Sequence, residues 1–270
     1  MQVREVYTGG MEPDPVTPKK RPPASLFAMG YAPMPPGVEA QGVAWRFSKL
    51  FKHDFFAATA LYERDASDGR RELAVLKVQR IYPYFGFPMR WLGRKVANHE
   101  IRIYERLQGI AGIPKFLGRI GDTGFLHEFV PGEELHPGLP LTPEFFEQLK
   151  ALFEALHARH VAYVDSNKRE NILYGTDGRP WLIDFQISME SPKGEKAGWV
   201  RRRWLRRFIR ADWYHYYKHK TRLLPGACTE EDFGRAEKRG ILHSIHRFFA
   251  RPVIVMRRKF LSRYDLARTR

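Results

Sequence analysis

Cysteine is almost absent from this sequence. Cys228 is the only one in 270 residues, which excludes an intrachain disulfide framework and a thiolate-built zinc site and fits a reducing compartment. Long apolar runs are missing as well, and no stretch approaches the ~18 residues a membrane-crossing helix needs. The first fourteen residues have no apolar segment behind a basic start, so no secretory leader is expected. Acidic charge is scarce in one region only. The net charge is +16, and residues 191–270 hold 22 Lys and Arg against 7 Asp and Glu, while residues 1–190 hold 24 against 23. A basic end of this kind draws nucleic acid, anionic lipid or another polyanion without choosing among them. What is plentiful is core material: hydrophobic residues make up 43% and aromatics 14%, enough for one large domain or two modest lobes.

The first forty residues carry eight prolines and the run Lys19-Lys20-Arg21, which predicts an extended, poorly ordered tail over 1–40. Strand patterns follow at Arg46–Phe51, Phe55–Glu63 and Glu72–Gln79, the last two divided by the turn cluster Asp65-Ala66-Ser67-Asp68-Gly69. An aromatic, proline-bearing loop (Tyr82, Pro83, Tyr84, Phe85, Phe87, Pro88) leads to a helix over about 95–108 that Gly109 closes. Two more strands, near Lys115–Ile120 and Gly124–Phe129, end at the break Val130-Pro131-Gly132. Beyond it, Thr142 and Pro143 suit the start of a helix to about Arg159, with Phe145, Leu149, Leu152 and Leu156 on its buried stripe. The expected class is α+β: a five-stranded N-terminal lobe with one helix over 41–130, a mainly helical lobe over 131–225, and a basic extension over 226–270.

The chemistry centres on a hairpin, Asn171–Tyr174 and Trp181–Ile183, turning at Gly175–Gly178. Residues entering and leaving an antiparallel hairpin lie at the same end, so Asn171 and Asp184 are expected together. Asp165, six residues before Asn171, sits in the loop feeding the same place. Hard oxygen donors of this type suit Mg²⁺, and a carboxylate among apolar neighbours such as Ile183 and Phe185 calls for a partner. Each of these residues alone reads as a turn or a strand end; the triple on one hairpin is less easily explained that way.

With Tyr163-Val-Asp165, Asn171 and Asp184-Phe-Gln186 in this order, the chain resembles the protein-kinase-like superfamily, whose catalytic-loop Asp and Asn precede a hairpin and an Asp-Phe-Gly turn. The resemblance covers about residues 45–220 and implies a two-lobed kinase-like fold using ATP and Mg²⁺. It implies that Asp165 orients the acceptor hydroxyl and that Asn171 and Asp184 hold the metal. Lys77, in Val75-Leu-Lys77, is similar to the phosphate-binding lysine, Glu100 to its ion-pair partner, and Glu128 and Val130 to the adenine hinge. Lys168, with Arg169, would neutralise the transferring phosphoryl group, and Asp212 resembles the buried acid that bonds the catalytic-loop backbone.

The departures are equally definite. No glycine stands in Lys52-His-Asp-Phe-Phe-Ala-Ala-Thr59 where a phosphate loop is expected, the Asp165–Asn171 spacing is six instead of five, and Gln186 replaces a glycine. No Ala-Pro-Glu motif follows. The chain therefore looks more like compact atypical members, among them bacterial lipopolysaccharide-core and Kdo sugar kinases and minimal atypical Ser/Thr kinases. Residues 199–222 combine Trp199, Trp204, Phe208 and Trp213 with Arg201–Arg203, Arg206, Arg207 and Arg210, a helix that either lies in a membrane interface or packs its apolar side on its own lobe. His215 and His219 share a helical face, but Lys218 and Lys220 argue against a metal there, and His243 and His246 read the same way. The resulting expectation is a monomeric, cytoplasmic phosphotransferase, peripheral to the inner membrane face. Its acceptor would be an anionic sugar, lipid-linked glycan or protein Ser/Thr, with nucleic acid not expected. A pseudokinase that binds nucleotide or docks on membrane is the alternative.

Overall fold

The computed structural model describes residues 22–192 and 198–237. The Lys19–Arg21 run, His243, His246 and the basic stretch Arg247–Arg270 lie outside them.

Six strands form the N-terminal sheet in the order β1-β2-β3-β4-β6-β5: β1 (Gly37–Ala40), β2 (Val43–His53), β3 (Ala57–Asp65), β4 (Arg71–Gln79), β5 (Phe116–Ile120) and β6 (Gly124–Glu128). All neighbours are antiparallel. Five strands were expected, and the sixth comes from the segment taken for tail. Residues 24–26 make a 3-10 turn, β1 pairs with β2, and Ala28, Met29 and Ala40 are buried. The prolines there shape the chain instead of disordering it. The Pro36 carbonyl accepts from the Phe47 amide and the Pro35 carbonyl from the Tyr62 hydroxyl.

Helix α1 (Arg90–Leu107) begins five residues earlier than its pattern suggested and buries Ala97, Glu100, Ile101, Tyr104 and Leu107. Its first turn lies so close to the end of β4 that a Cβ on Gly93 would stand 2.1 Å from the Arg80 carbonyl oxygen. Only glycine allows that approach.

In the second lobe, Thr142 caps α2 (Pro143–Ala158) by accepting from the Phe145 amide, with proline in the first turn. The expected stripe of Phe145, Leu149, Leu152 and Leu156 is buried. Short strands follow: β7 (Gly132–Glu134), β8 (Val161–Ala162), β9 (Ile172–Gly175), β10 (Pro180–Leu182) and β11 (Met189–Glu190). β9 and β10 form the expected hairpin, with β7 on its other side, while β8 pairs with β11.

Helix α3 (Trp199–Leu223) buries Leu205 and then Asp212, His215, Tyr216, Tyr217 and His219. Its second half therefore packs, whereas Trp204 on the expected stripe is exposed. The region expected as a basic extension opens with α4 (Glu230–Glu237), whose first turn is acidic and which docks on α3 through Lys220–Asp232 at 3.0 Å. One apolar core runs from α1 and β6 through α2 to the hairpin and α3, so the elements carrying the site share it. Among the described residues no helix is long and apolar enough to cross a membrane.

Candidate active site

Lys77 lies on β4, paired with β3 on one side and β6 on the other. An edge-strand lysine needs no partner, but this one is central and 7% exposed, so its charge must be met inside. Its Nζ donates to Glu100 Oε1 and to Asp184 Oδ1, each at 2.8 Å. Glu100, on α1, is fully buried and also accepts from Gln79 Nε2 at 2.8 Å. Gln79 was not singled out from the sequence, although strand alternation puts it on the same face as Lys77.

Burial works to lower the Lys77 pKa, yet Asp184 and Glu100 more than offset this and hold it above the ordinary value. Burial pushes Glu100 up to about 7 against the pull of Lys77. Burial also works to raise Asp184, but Lys77, with a contribution from Lys168, draws it down to about 2. The group thus keeps one firm carboxylate, Asp184, beside one firm ammonium.

Asp184 stands just beyond β10 at φ 63°. The residue after it, Phe185, is fully buried, its ring against Tyr104 of α1 at 5.0 Å and Tyr163 at 5.3 Å. The Tyr163 hydroxyl donates to the carbonyls of Asn171 and Ile183, tying the loop before the hairpin to the segment after it.

The Asp165–Asn171 loop hangs from Asp212. That carboxylate, fully buried in α3, accepts from the Tyr163 and Val164 amides, the Ser166 hydroxyl and His157 Nε2. The expected contact from Asp212 to this backbone is therefore present, and it holds Val164, a β-branched residue, at φ 70°. Such strain persists only where the surroundings impose it. The sixth residue in the spacing is absorbed by a 3-10 turn at Arg169–Asn171. Asn171 Nδ2 still reaches Asp165 Oδ2 at 2.9 Å, and Lys168 Nζ donates to the same oxygen at 2.6 Å. Asp165 is thus engaged by a cation and an amide through one carboxylate oxygen. Among the described residues no three His, Cys, Asp or Glu side chains gather as a metal cluster. The remaining pair, Asn171 and Asp184, supplies hard oxygen donors: Asn171 spends its NH₂ on Asp165, and Asp184 spends Oδ1 on Lys77.

Glu128 ends β6, its carboxylate accepting from the Lys115 amide, and Val130 is buried two residues on. His219, far from being half of a metal pair, faces the Ser166 carbonyl at 2.7 Å.

The glycine-free turn between β2 and β3 has its own solution. Asp54 Oδ1 accepts from the amides of Phe56 and Ala57, at 2.8 and 3.1 Å. Those are N–H groups that a phosphate cradle would offer to a ligand, and here a carboxylate of the chain takes them. Lys52 pairs with the same side chain at 2.9 Å.

A central-strand lysine bound to a helix glutamate, an Asp–Asn loop, and an aspartate just past a hairpin are set between an antiparallel N-terminal sheet and the helices α2 and α3. No protein-family model matches the chain, and no curated protein does. Among solved structures it is similar to the crystal structure of the Rio2 kinase from Chaetomium thermophilum and to that kinase's ADP/Mg²⁺-phosphoaspartate complex. Each has 14% identity and a TM-score of 0.47 over 72% of this chain. This chain spans 65% and 63% of the length of those two.

Proposed function

We propose that the chain is an ATP- and Mg²⁺-dependent phosphotransferase acting on a hydroxyl of an anionic acceptor. The observation that carries the reading is the double contact of Lys77, 2.8 Å from both Glu100 and Asp184. The Lys77–Glu100 half matches the ion pair that kinases require, and such buried charge is otherwise an expensive arrangement.

In this reading Lys77 binds nucleotide phosphate oxygens while Glu100 and Gln79 fix its direction. Glu128 and Val130 border the adenine. Asn171 and Asp184 hold Mg²⁺, whose chemistry is to neutralise phosphate charge. Asp165 accepts the proton of the attacking hydroxyl, and Lys168, already bonded to it, faces the charge that develops on the transferred group. The exposed cations Lys168 and Arg169, with Lys218 bonded to Asn167 at 3.0 Å, favour an acceptor that carries negative charge. The candidate classes are a sugar, a lipid-linked glycan and a protein Ser or Thr.

The test is a phosphate-transfer screen with ATP and Mg²⁺ across these classes. Asp184→Ala is expected to abolish transfer and the Mg²⁺-dependent thermal shift produced by ATP. Equal transfer by wild type and variant would refute the assignment. A second reading, a nucleotide-binding pseudokinase, is favoured by Asp54 occupying the loop amides. It predicts the Mg²⁺-dependent shift in the wild type without transfer to any class.

A further inference from the structure

The loop joining β4 to α1 takes no part in the site described above, yet it carries the most exposed aromatic residues among those described. Phe85 is 82% exposed and Phe87 72%, and Trp91, the second residue of α1, is 55% exposed. Large apolar side chains scattered singly on a surface mean little, but a contiguous group marks a contact.

The loop is built to hold them out. Tyr84 and Phe87 pair as a two-residue hairpin, each amide bonded to the other's carbonyl at 3.0 Å. The central residues Phe85 and Gly86 both have positive φ, 48° and 79°. A hairpin of this shape prefers Asn or Gly at its first central position, and a bulky aromatic there costs backbone energy. Behind the tip the base is firm. Tyr84 packs edge-on to Phe55 at 5.0 Å, and the buried Arg80 guanidinium sits 4.0 Å from Phe55, 5.5 Å from Tyr84 and bonds the Pro83 carbonyl. The result is a convex, preorganised apolar tip, a poor shape for closing on a small ligand.

Its border is cationic. Arg90 and Arg94 share Asp122, Arg119 bonds the Asp122 carbonyl, and Lys95 lies over the Trp91 ring at 5.2 Å. Of these four cations, two are paired with the Asp122 carboxylate. Aromatic side chains flanked by Arg and Lys match the chemistry of a bilayer interface, where rings sit at headgroup depth and cations meet lipid phosphates.

We propose that the Tyr84–Phe87 tip, with Trp91 and its border of cations, inserts into the interface of an anionic lipid bilayer. This contact is separate from the cationic half of α3 and does not depend on the phosphotransfer reading. The tip supplies the apolar share of binding, which salt does not screen, whereas arginine-rich segments supply a share that it does.

The full chain is to be sedimented with vesicles of phosphatidylcholine alone and of an equal mixture with phosphatidylglycerol, at low and high salt. Wild type is expected on the anionic vesicles, with a fraction surviving high salt. In the double variant Phe85→Ser/Phe87→Ser that surviving fraction should drop about tenfold, from lost ring burial. Its melting temperature and Mg²⁺–ATP binding should remain those of wild type, which separates failure of this proposal from failure of the enzymatic one. Unchanged vesicle binding by the double variant overturns the proposal. So does a wild type that binds no anionic vesicle, which would assign the tip to an apolar groove on another protein. Should the double variant fold poorly, Phe85→Trp provides the second measurement. Brominated lipid must quench its fluorescence beyond that of wild type, and no added quenching is a refutation.

Discussion

Asp54 holds two amides that, in the proposed phosphotransferase reading, nucleotide phosphates would use, and it brings a negative charge to the same loop. Its carboxyl stays below the ordinary value: burial opposes ionisation, but Lys52 and the two amides outweigh it. Replacing it by glycine frees both donors and removes the repulsion. Asp54→Gly is therefore expected to tighten ATP binding severalfold, about 1 kcal/mol for a hydrogen bond regained, measured by titration calorimetry. Weaker binding would mean that the carboxylate shapes the loop for the nucleotide instead of competing with it. Neither this role nor that of Gln79 was legible beforehand. A turn without glycine reads as a missing cradle, and nothing in Asp54's neighbours reveals which amides its oxygen accepts.

Between elements, the segment after Asp184 does more than follow the hairpin. Glu190 of β11 accepts from Arg102 at 3.0 Å and lies 3.4 Å from Arg106, both on α1. The Ser188 and Ser191 carbonyls face His99 and Arg106 of the same helix, and Arg201 of α3 donates to the Glu190 carbonyl. These contacts hold α1 in the position from which Glu100 meets Lys77. Glu190→Ala leaves both α1 arginines without their carboxylate. Turnover should fall about tenfold with little change in KM for ATP, the loss of ~1.4 kcal/mol of positioning. A rise in KM with turnover intact would show that Glu190 serves nucleotide binding instead.

The elements themselves were largely readable. Helix α2 was marked by its cap and stripe and the hairpin by its turn, while the resemblance to kinase-like chains is what singled out Lys77 and Glu100, which meet at 2.8 Å. Strand β1 was not, because eight prolines in forty residues suggest a tail until the Gln41-Gly42 turn, with φ of 52° and 76°, is seen to fold Gly37–Ala40 back onto β2. The early start of α1 was hidden too, since Arg90, Trp91 and Leu92 make no buried stripe and only Gly93 fits beneath Arg80.

Across the whole molecule, buried titrating groups set how stability responds to acid. Burial draws His127 and His219 from the ordinary 6.5 down to about 4. A lowered histidine contributes stability that is complete above 6.5 and is lost as pH falls through 4. Glu100 acts the other way. Raised from 4.5 to about 7, its contribution is complete below 4.5 and lost as pH climbs through 7. Between 4.5 and 6.5 the unfolded chain binds two more histidine protons and one fewer glutamate proton, so stability should rise by about 1.4 kcal/mol per pH unit. Asp184, lowered to about 2, adds acid sensitivity only as pH falls from 3.8. Urea midpoints across that window check the slope, and His219→Gln should flatten it. A falling slope in the wild type would refute the balance.

Arg80 also ties the segment before the first strand to the N-terminal sheet. Its guanidinium, 4% exposed, donates to the carbonyls of Ser25 and Phe27 as well as Phe55 and Pro83, and the Ala28 amide donates to the Asp54 carbonyl. Anyone shortening the gene to start at the first sheet strand would discard two of the four oxygens that neutralise a sealed-in cation. The glycine-free turn between β2 and β3 would lose its outer brace in the same cut, so a fragment intended to isolate the N-terminal sheet has to retain Pro23 onward.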